Sequence, residues 1–207
     1  METVIAPSSA PYTSSPGPSA HKHIWLITGP AGCGKSTVAS HLASTLQLPY
    51  LEGDDYHTPE NVAKMATGTP LTDSDRWDWL TLLRASAVSA LTTPSSTPSP
   101  SGVVVTCSAL KRKYRDVMRV APYHDPRVKV HFIFLSASEE TLQRRVAGRK
   151  DHYMGPEMVR SQLESLEVPV GEGDAVIVDV GVGKEEVERR ALEVVREVMG
   201  GERAKLA

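Results

Sequence analysis

The segment GPAGCGKS, residues 29–36, constrains the fold of this chain more than any other part of its sequence. It matches the pattern Gly-x-x-x-x-Gly-Lys-Ser/Thr. An apolar run at residues 24–28 precedes it, and a helical pattern with Val38, Leu42 and Leu46 follows it. In such a strand–turn–helix unit, the N–H groups of the turn and the positive end of the helix dipole point at an anion. The sequence therefore predicts an α/β fold built around a phosphate-binding loop.

Short apolar runs alternate with helical periodicity along the rest of the chain. This alternation is typical of a parallel sheet wrapped by helices. We predict a five-stranded parallel sheet flanked by helices, with further strands at residues 50–52, 103–107, 130–135 and 175–179. The apolar positions expected to pack on the sheet are Leu80, Leu83, Ala87 and Leu91 in one helix, and Val187, Ala191, Val194, Val195 and Val198 in another.

Two segments rich in serine and proline lie outside this pattern. Residues 1–22 contain few large apolar side chains, so we predict a disordered tail there. Residues 92–102 separate a helical pattern from an apolar run. We interpret them as a surface loop, because neither side alone would complete a sheet. The predicted single domain spans residues 23–200, and residues 201–207 form a short C-terminal tail.

The composition argues against several classes of partner. Lys and Arg number 23 against 25 Asp and Glu, for a net charge of −2, which does not favour a nucleic-acid binder. Two cysteines are too few for a disulfide framework or a zinc site, and they fit a reducing compartment. No apolar run approaches the roughly 18 residues that span a bilayer, and the N-terminus lacks a basic and apolar leader. We expect a cytoplasmic protein with a small-molecule partner.

The phosphate loop predicts ATP and Mg²⁺ as ligands. Lys35 would reach the β- and γ-phosphates, and the Ser36 hydroxyl would bind Mg²⁺. GTPases, motor ATPases and small-molecule kinases all contain such a loop, so the loop alone leaves the reaction open. The predicted nucleotide-binding residues are Gly29, Pro30, Ala31, Gly32, Cys33, Gly34, Lys35, Ser36 and Thr37.

The second strand ends in the acidic segment EGDDYH, which places Asp54 at the carboxyl edge of the sheet. Open parallel sheets bind their ligands at this edge. A carboxylate there can accept the proton of an attacking hydroxyl group or orient that group. It can equally hold a magnesium-bound water. For Asp55 and His57 two interpretations stay open, a contact with the ligand or a capping or solvated loop position.

The third strand lacks the acid that ends the corresponding strand in many phosphate-loop proteins. Cys107 and Ser108 stand at that place. Mg²⁺ would then rely on Ser36, the phosphates, waters and, in one interpretation, Asp54.

Two basic segments follow the third and fourth strands. In KRKYRD, residues 111–116, most side chains would be solvated, and one or two would face an anionic substrate. Residues 140–155 read as a lid with Gly148 as hinge, whose arginines neutralise the charge that develops during phosphoryl transfer. The alternative is an ordinary exposed basic face. The arginines of this segment are Arg144, Arg145 and Arg149.

Several further blocks give the chain a family resemblance over residues 24–198. They are GDDYH at residues 53–57, NVAKMATGTPLTDSDRWDWL at residues 61–80, CSALKRKYRD at residues 107–116, and the later GRKDHYM and QLESLEVP stretches. With these blocks the chain resembles the gluconokinase family of P-loop kinases, which is related in fold to shikimate and nucleoside monophosphate kinases. The resemblance implies a P-loop NTPase fold of the nucleoside monophosphate kinase type with a mobile lid.

The resemblance also implies an activity, the ATP-dependent phosphorylation of D-gluconate at its 6-hydroxyl group. The product, 6-phosphogluconate, would feed the pentose phosphate pathway, and the enzyme would be a homodimer. The implied catalytic residues are Lys35, Asp54 and Arg145, and Arg149 would cover the nucleotide. The implied substrate-binding residues are Asp54, His57, Arg76, Ser108, Lys111, Arg115 and His152.

Two alternatives remain at this stage. The same scaffold would serve a kinase for another small acceptor, such as shikimate or a nucleoside monophosphate. A regulatory protein that binds ATP without transferring phosphate is disfavoured, because Asp54 and the lid arginines would then have no purpose.

Overall fold

The protein folds around one parallel β-sheet. The computed structural model describes residues 21–92, 100–148 and 156–206. The strands are β1 (Lys22–Thr28), β2 (Tyr50–Leu51), β3 (Gly102–Thr106), β4 (Val128–Ser136) and β5 (Ala175–Asp179). All pairings are parallel, in the order β2-β3-β1-β4-β5. The predicted five-stranded parallel sheet is confirmed.

Helices connect the strands and cover both faces of the sheet. A 3-10 turn at Gly53–Tyr56 follows β2 directly. Across the described ranges, no helix is long and apolar enough to cross a membrane. The α-helices are α1 (Lys35–Leu46), α2 (Pro59–Ala66), α3 (Asp73–Thr92), α4 (Arg112–Arg119), α5 (Ala121–His124), α6 (Glu139–Ala147), α7 (Pro156–Glu164) and α8 (Lys184–Leu206).

Two apolar layers sandwich the sheet. Because successive residues of a strand point to opposite faces, Ile24 and Leu26 of β1 belong to the layer under α3 and α4. Trp25 and Ile27 belong to the layer under α1 and α8. All four side chains are fully buried. Burial on both faces explains why this strand is a continuous apolar run instead of an alternating one.

The predicted helical stripes pack on these layers. In α3 all the predicted positions are fully buried, and in α8 the stripe is buried at its centre and half-buried at its margin. The buried α3 positions are Leu80, Leu83, Ala87 and Leu91. In α8, Val187, Ala191 and Val195 are buried, while Val194 and Val198 are partly buried against the same layer.

Some predicted boundaries differ from the structure. Lys22, placed in the tail, is the first residue of β1, where its backbone continues the ladder with β4. Helix α8 runs to Leu206 and includes most of the expected C-terminal tail, because the sequence after residue 201 consists of strong helix formers. The predictions for residues 1–20, for residues 93–99 of the Ser/Pro loop and for residues 149–155 of the lid lie outside the described residues.

An ion-pair network ties α4 to the segment before β5. The Arg115 guanidinium, 1% exposed, donates from Nε and Nη2 to the Glu172 carboxylate. Its Nη1 donates to the carbonyl oxygens of Ala109 (3.1 Å) and Leu110 (3.3 Å). Arg119 also donates to Glu172. Arg115 was expected at the substrate, but its burial and these partners make it part of the fold.

We expect Glu172→Ala to lower the free energy of unfolding by about 3–5 kcal/mol, because removal of one partner leaves a buried charge uncompensated. Glu172→Gln keeps one carbonyl acceptor and should cost less. Urea unfolding at neutral pH measures both. As a control, Glu193→Ala removes an exposed partner of Arg189 and should change little. Equal losses for Glu172→Ala and Glu193→Ala would contradict the role of the buried pair.

The same network should make stability depend on pH. The hydrogen bond from Arg115 lowers the pKa of Glu172 from 4.5 to about 2, against burial, which raises it. A lowered pKa means that the stabilisation is present above pH 4.5 and is lost as the pH falls towards 2. The difference in unfolding free energy between the wild type and Glu172→Gln should therefore shrink across that range.

Candidate active site

The phosphate loop, residues 29–36, joins β1 to α1 at the carboxyl edge of the sheet. Gly32 (φ 84°) and Gly34 (φ 101°) adopt left-handed backbone conformations, which cost glycine far less than other residues. Gly34 is also the N-cap of α1 and provides no side-chain cap. No capping side chain therefore competes with an anion for the N–H groups of the first helical turn.

Lys35 folds back over this loop. Its Nζ donates to the carbonyl oxygens of Gly29 (3.1 Å) and Pro30 (3.2 Å), which holds the ammonium charge beside the loop. The hydroxyl of the next residue, Ser36, lies near the carboxylate of Glu52 and helps to lower the pKa of that group. Lys35 and Ser36 both line the pocket described below.

Glu52, at the end of β2, is a site residue that reasoning from the sequence missed. Its carboxylate accepts hydrogen bonds from Thr106 at the end of β3 and from Tyr50. Burial alone would raise the pKa of Glu52, but the hydrogen bonds from Thr106 and Tyr50, the nearby Ser36 hydroxyl and the charge of Lys35 lower it below its usual value. An ionised carboxylate therefore lies beside the Ser36 hydroxyl. The sequence held one signal for it: the acid missing from the end of β3 stands at the end of the neighbouring strand.

One pocket opens between the phosphate loop, the ends of β2 and β3, and helices α2, α3 and α7. It contains both charged and apolar side chains, as small-molecule sites commonly do. The lining residues are Ala31, Gly32, Gly34, Lys35, Ser36, Glu52, Asp54, His57, Met65, Pro70, Leu71, Arg76, Trp79, Ser108, Ser161, Gln162 and Ser165. We call this the acceptor pocket.

Asp54 and His57 form a pair on one wall of the acceptor pocket. Asp54 Oδ1 lies 3.9 Å from His57 Nε2, with the carboxylate half exposed and the imidazole 5% exposed. The His57 ring stacks on Trp79 at 4.1 Å. Burial lowers the pKa of His57, and Asp54 only partly opposes it, so the imidazole is neutral at pH 7. Within the described ranges, its buried Nδ1 has no hydrogen-bond partner.

Arg76 provides a cation on α3 at the same pocket. Its Nη1 donates to the carbonyl oxygen of Leu71 and to the Tyr114 hydroxyl (3.4 Å), and its guanidinium lies 5.3 Å from the centre of the Tyr114 ring. Among residues 21–92, 100–148 and 156–206, no carboxylate forms an ion pair with it. Its charge is therefore available to an anionic ligand.

The other expected substrate contacts divide between the pocket and its surroundings. Ser108 lines the pocket, and its carbonyl oxygen accepts from the Gly29 N–H at 3.2 Å, which ties the end of β3 to the phosphate loop. Lys111 does not line the pocket, and its Nζ lies 3.7 Å from Asp73. His152 and Arg149 lie outside the described residues.

A second cavity borders the phosphate loop and shares Gly32 and Gly34 with the acceptor pocket. It is formed by Cys33, Thr37, Val38 and residues of α6 and α8. Arg145 on α6 borders it and donates from Nη2 to the Val180 carbonyl oxygen at 2.9 Å. Arg145 and Asp54 therefore line different cavities, both of which border the loop. The mobility of a lid in this region stays a prediction.

Helix α7 closes the acceptor pocket from a side that the sequence did not indicate. Gln162 Oε1 accepts a hydrogen bond from the Ala31 N–H at 2.7 Å. Ser161 and Ser165 lie on the same helix wall. The stretch QLESLEVP contributed to the family resemblance, but no role was predicted for Gln162.

The polar groups of the site fit a magnesium ion that retains other ligands. Within the part of the chain that the structure describes, no group of three or more His, Cys, Asp or Glu side chains could hold a metal on its own. Mg²⁺ usually keeps several waters and binds through one or two protein oxygens plus phosphates. The adjacent oxygens of Ser36 and Glu52 provide such a partial set.

Several known proteins are similar to this chain in sequence. Residues 24–169 match the family model described as an AAA domain. The chain is 41% identical to a probable gluconokinase of Schizosaccharomyces pombe over 95% of each chain. It is 34% identical to the thermoresistant gluconokinase of Escherichia coli over 84% of this chain and 94% of that protein.

Two solved structures are similar to this protein in fold. A gluconokinase from Sinorhizobium meliloti has a TM-score of 0.75 at 36% identity, covering 90% of this chain and 98% of that one. A shikimate kinase from Acinetobacter baumannii has a TM-score of 0.52 at 15% identity, covering 87% of this chain and 94% of that one. The second likeness shows the fold alone.

We expect Gly53→Ala to impair the site, since an added Cβ at Gly53 would lie 2.0 Å from the Thr106 carbonyl oxygen. The end of β2 would have to move and carry Glu52 and Asp54 with it. Displacement of reacting groups by about 1 Å lowers kcat/KM by on the order of 10²-fold. The control is Gly173→Ala, where an added Cβ meets nothing within 4 Å. Unchanged steady-state kinetics of folded Gly53→Ala protein would show that the close approach is dispensable.

Proposed function

This chain belongs to the gluconokinase family, and we propose that it transfers the terminal phosphate of ATP to the 6-hydroxyl group of D-gluconate, forming ADP and 6-phospho-D-gluconate. One observation carries the proposal: a pocket with a carboxylate, a neutral imidazole and an arginine opens directly onto a phosphate loop and shares Lys35 and Ser36 with it. A hydroxylated acid matches those groups in chemistry. The pentose phosphate pathway is the expected use of the product.

The nucleoside and the acceptor would bind in different cavities, both of which border the phosphate loop. The β- and γ-phosphates would bind the loop amides and Lys35, as in other proteins with this loop. The second cavity, whose lining does not include Asp54, would take the nucleoside, with Arg145 at its border. The terminal phosphate then faces the acceptor pocket, which an in-line transfer requires.

Ser36 and Glu52 would hold the magnesium ion. Ser36 would bind it through the hydroxyl group, while the ionised Glu52 would orient its waters or bind it directly. When bound, Mg²⁺ neutralises charge on the β- and γ-phosphate oxygens. Without an ion, the hydrogen bonds from Thr106 and Tyr50 keep the Glu52 carboxylate in place. This assignment gives the magnesium ion Glu52 in place of Asp54, which the sequence offered in one interpretation, and leaves Asp54 to the acceptor.

Asp54 would accept the proton of the attacking 6-hydroxyl group. Its half-exposed carboxylate lines the acceptor pocket, and a positioned carboxylate can act as a general base or orient the nucleophile. The neutral His57 beside it, which also lines the pocket, would hydrogen-bond a neighbouring hydroxyl group of the acceptor. Ser108, at the end of β3, provides a further donor or acceptor on the same side.

Arg76 would bind the carboxylate of gluconate. A guanidinium forms strong, paired hydrogen bonds with carboxylates, and no protein carboxylate competes for this one among the described residues. With Asp54 at the reacting 6-hydroxyl end and Arg76 at the carboxylate end, gluconate would bind in a single orientation. Lys111, 3.7 Å from Asp73, is the weaker candidate for this contact.

An acceptor panel tests the proposal against its alternatives. Purified protein with ATP and Mg²⁺ would be offered D-gluconate, shikimate and nucleoside monophosphates, with ADP release and phosphorylated product measured. We expect turnover with gluconate far above the others. Turnover only with another acceptor would replace the substrate, and ATP binding without any turnover would favour a regulatory role. A homodimer and a cytoplasmic location are parts of the proposal that this panel does not address.

Asp54→Asn keeps the shape of the side chain but removes its charge and basicity. We expect kcat to fall by a factor on the order of 10²–10⁴, with little change in KM for ATP. The matched control is Asp55→Asn, which alters the adjacent exposed carboxylate outside the pocket lining. Steady-state kinetics with each substrate varied in turn measure the effect. A change in KM alone would contradict the assignment of Asp54.

Arg76→Ala should raise KM for gluconate by about 10- to 100-fold, the usual loss for a hydrogen bond to a charged group. KM for ATP should change much less. Arg76→Lys keeps the charge and should recover part of the loss, while Lys111→Ala should have little effect. Equal weakening of both substrates by Arg76→Ala, or a larger effect of Lys111→Ala on gluconate, would move the carboxylate site elsewhere.

A further inference from the structure

Gln162 makes a contact with the phosphate loop that the proposed reaction does not use. Its side chain reaches from α7 to the loop, where Oε1 accepts the Ala31 N–H at 2.7 Å. This length is at the short end for N–H···O hydrogen bonds. A loop N–H group that would serve a phosphate oxygen is thus bonded to a neutral amide oxygen of the protein itself.

The position of Ala31 in the loop indicates which phosphate would use this N–H group. Ala31 lines the acceptor pocket and is not part of the second cavity. Cys33 and Thr37, in contrast, border the second cavity, where the nucleoside is proposed to bind. The N–H group of Ala31 is therefore on the acceptor side of the loop, where the phosphate farthest from the base would lie.

We propose that Gln162 occupies the terminal-phosphate donor of the loop in the nucleotide-free protein and that the terminal phosphate of ATP, but not ADP, displaces it. Gln162 is then a positioning residue that distinguishes the two nucleotides. The inference rests on the proposed binding of the nucleotide phosphates along the loop.

The exchange favours ATP because the competing acceptors differ in charge. A hydrogen bond from an N–H group to an anionic oxygen is roughly twice as strong as one between neutral groups, and the Lys35 ammonium lies on the same loop. An N–H group has one hydrogen to donate, so the terminal phosphate and Gln162 cannot both use it well. ADP lacks that phosphate and leaves the contact intact.

Helix α7, which carries Gln162, also forms a wall of the acceptor pocket. Ser161 and Ser165 on this helix line the pocket, and the Ser165 hydroxyl donates to the carbonyl oxygen of Gln162 at 3.1 Å. The residue whose side chain the terminal phosphate would displace therefore lies on the same helix as this wall.

Two substitutions at this position should act in opposite directions. Gln162→Leu removes the competing acceptor, so we expect affinity for the β,γ-imido analogue of ATP to rise about two- to tenfold while affinity for ADP stays unchanged. Gln162→Glu places a carboxylate on the same N–H group and should lower affinity for the analogue by about tenfold or more, and affinity for ADP less. Isothermal titration calorimetry with Mg²⁺ measures all four values.

Gln143→Leu is the matched control, since Gln143 is bonded to Glu139 on α6 at 2.8 Å and lines neither cavity. It should leave both affinities unchanged, and circular dichroism should show that every variant is folded. Unchanged or weaker analogue binding by Gln162→Leu would overturn the proposal, as would an equal gain for ADP. If the wild type bound neither nucleotide, the proposed function would fail instead, because that result does not involve Gln162.

Discussion

The site depends on the parallel pairing of β1 with both β3 and β4. Register pairs join the central strand to its neighbours along its length, and the ladder continues beyond β1 through the bond from the Gly29 N–H to the Ser108 carbonyl. Because parallel strands end at one edge, this pairing brings the phosphate loop and the end of β3 together. The Thr106 hydroxyl donates to the Glu52 carboxylate and accepts from the Gly53 N–H. These two bonds hold the end of β2 at the same edge.

The surroundings of Glu52 and His57 shift the pKa of each group by different physical causes. Lys35 and three hydroxyl groups hold Glu52 ionised in spite of burial, whereas burial against Trp79 keeps His57 neutral in spite of Asp54. The first environment suits a cation ligand and the second suits a hydroxyl ligand. Two titratable groups on adjacent parts of one chain segment thus have different chemistry because their neighbours differ.

Basic residues show how far reasoning from the sequence could go. Arg76, Lys111 and Arg115 were all predicted to bind the substrate, yet the structure gives them three different environments. Arg76 lines the pocket, Lys111 lies near Asp73 outside it, and Arg115 is buried against Glu172. The type and spacing of these residues do not predict this division, because it is decided by partners on other elements.

The sequence by itself determined the sheet, the phosphate loop, the helical stripes and the place of Asp54 at a strand end. These features follow from local backbone preference and the period of apolar residues, which neighbouring positions encode. Only the tertiary structure decided that Glu52 faces Ser36 and that Gln162 reaches Ala31. The latter two residues are 131 positions apart. Such contacts arise when packing brings distant segments together, and no local pattern records which side chains will meet there.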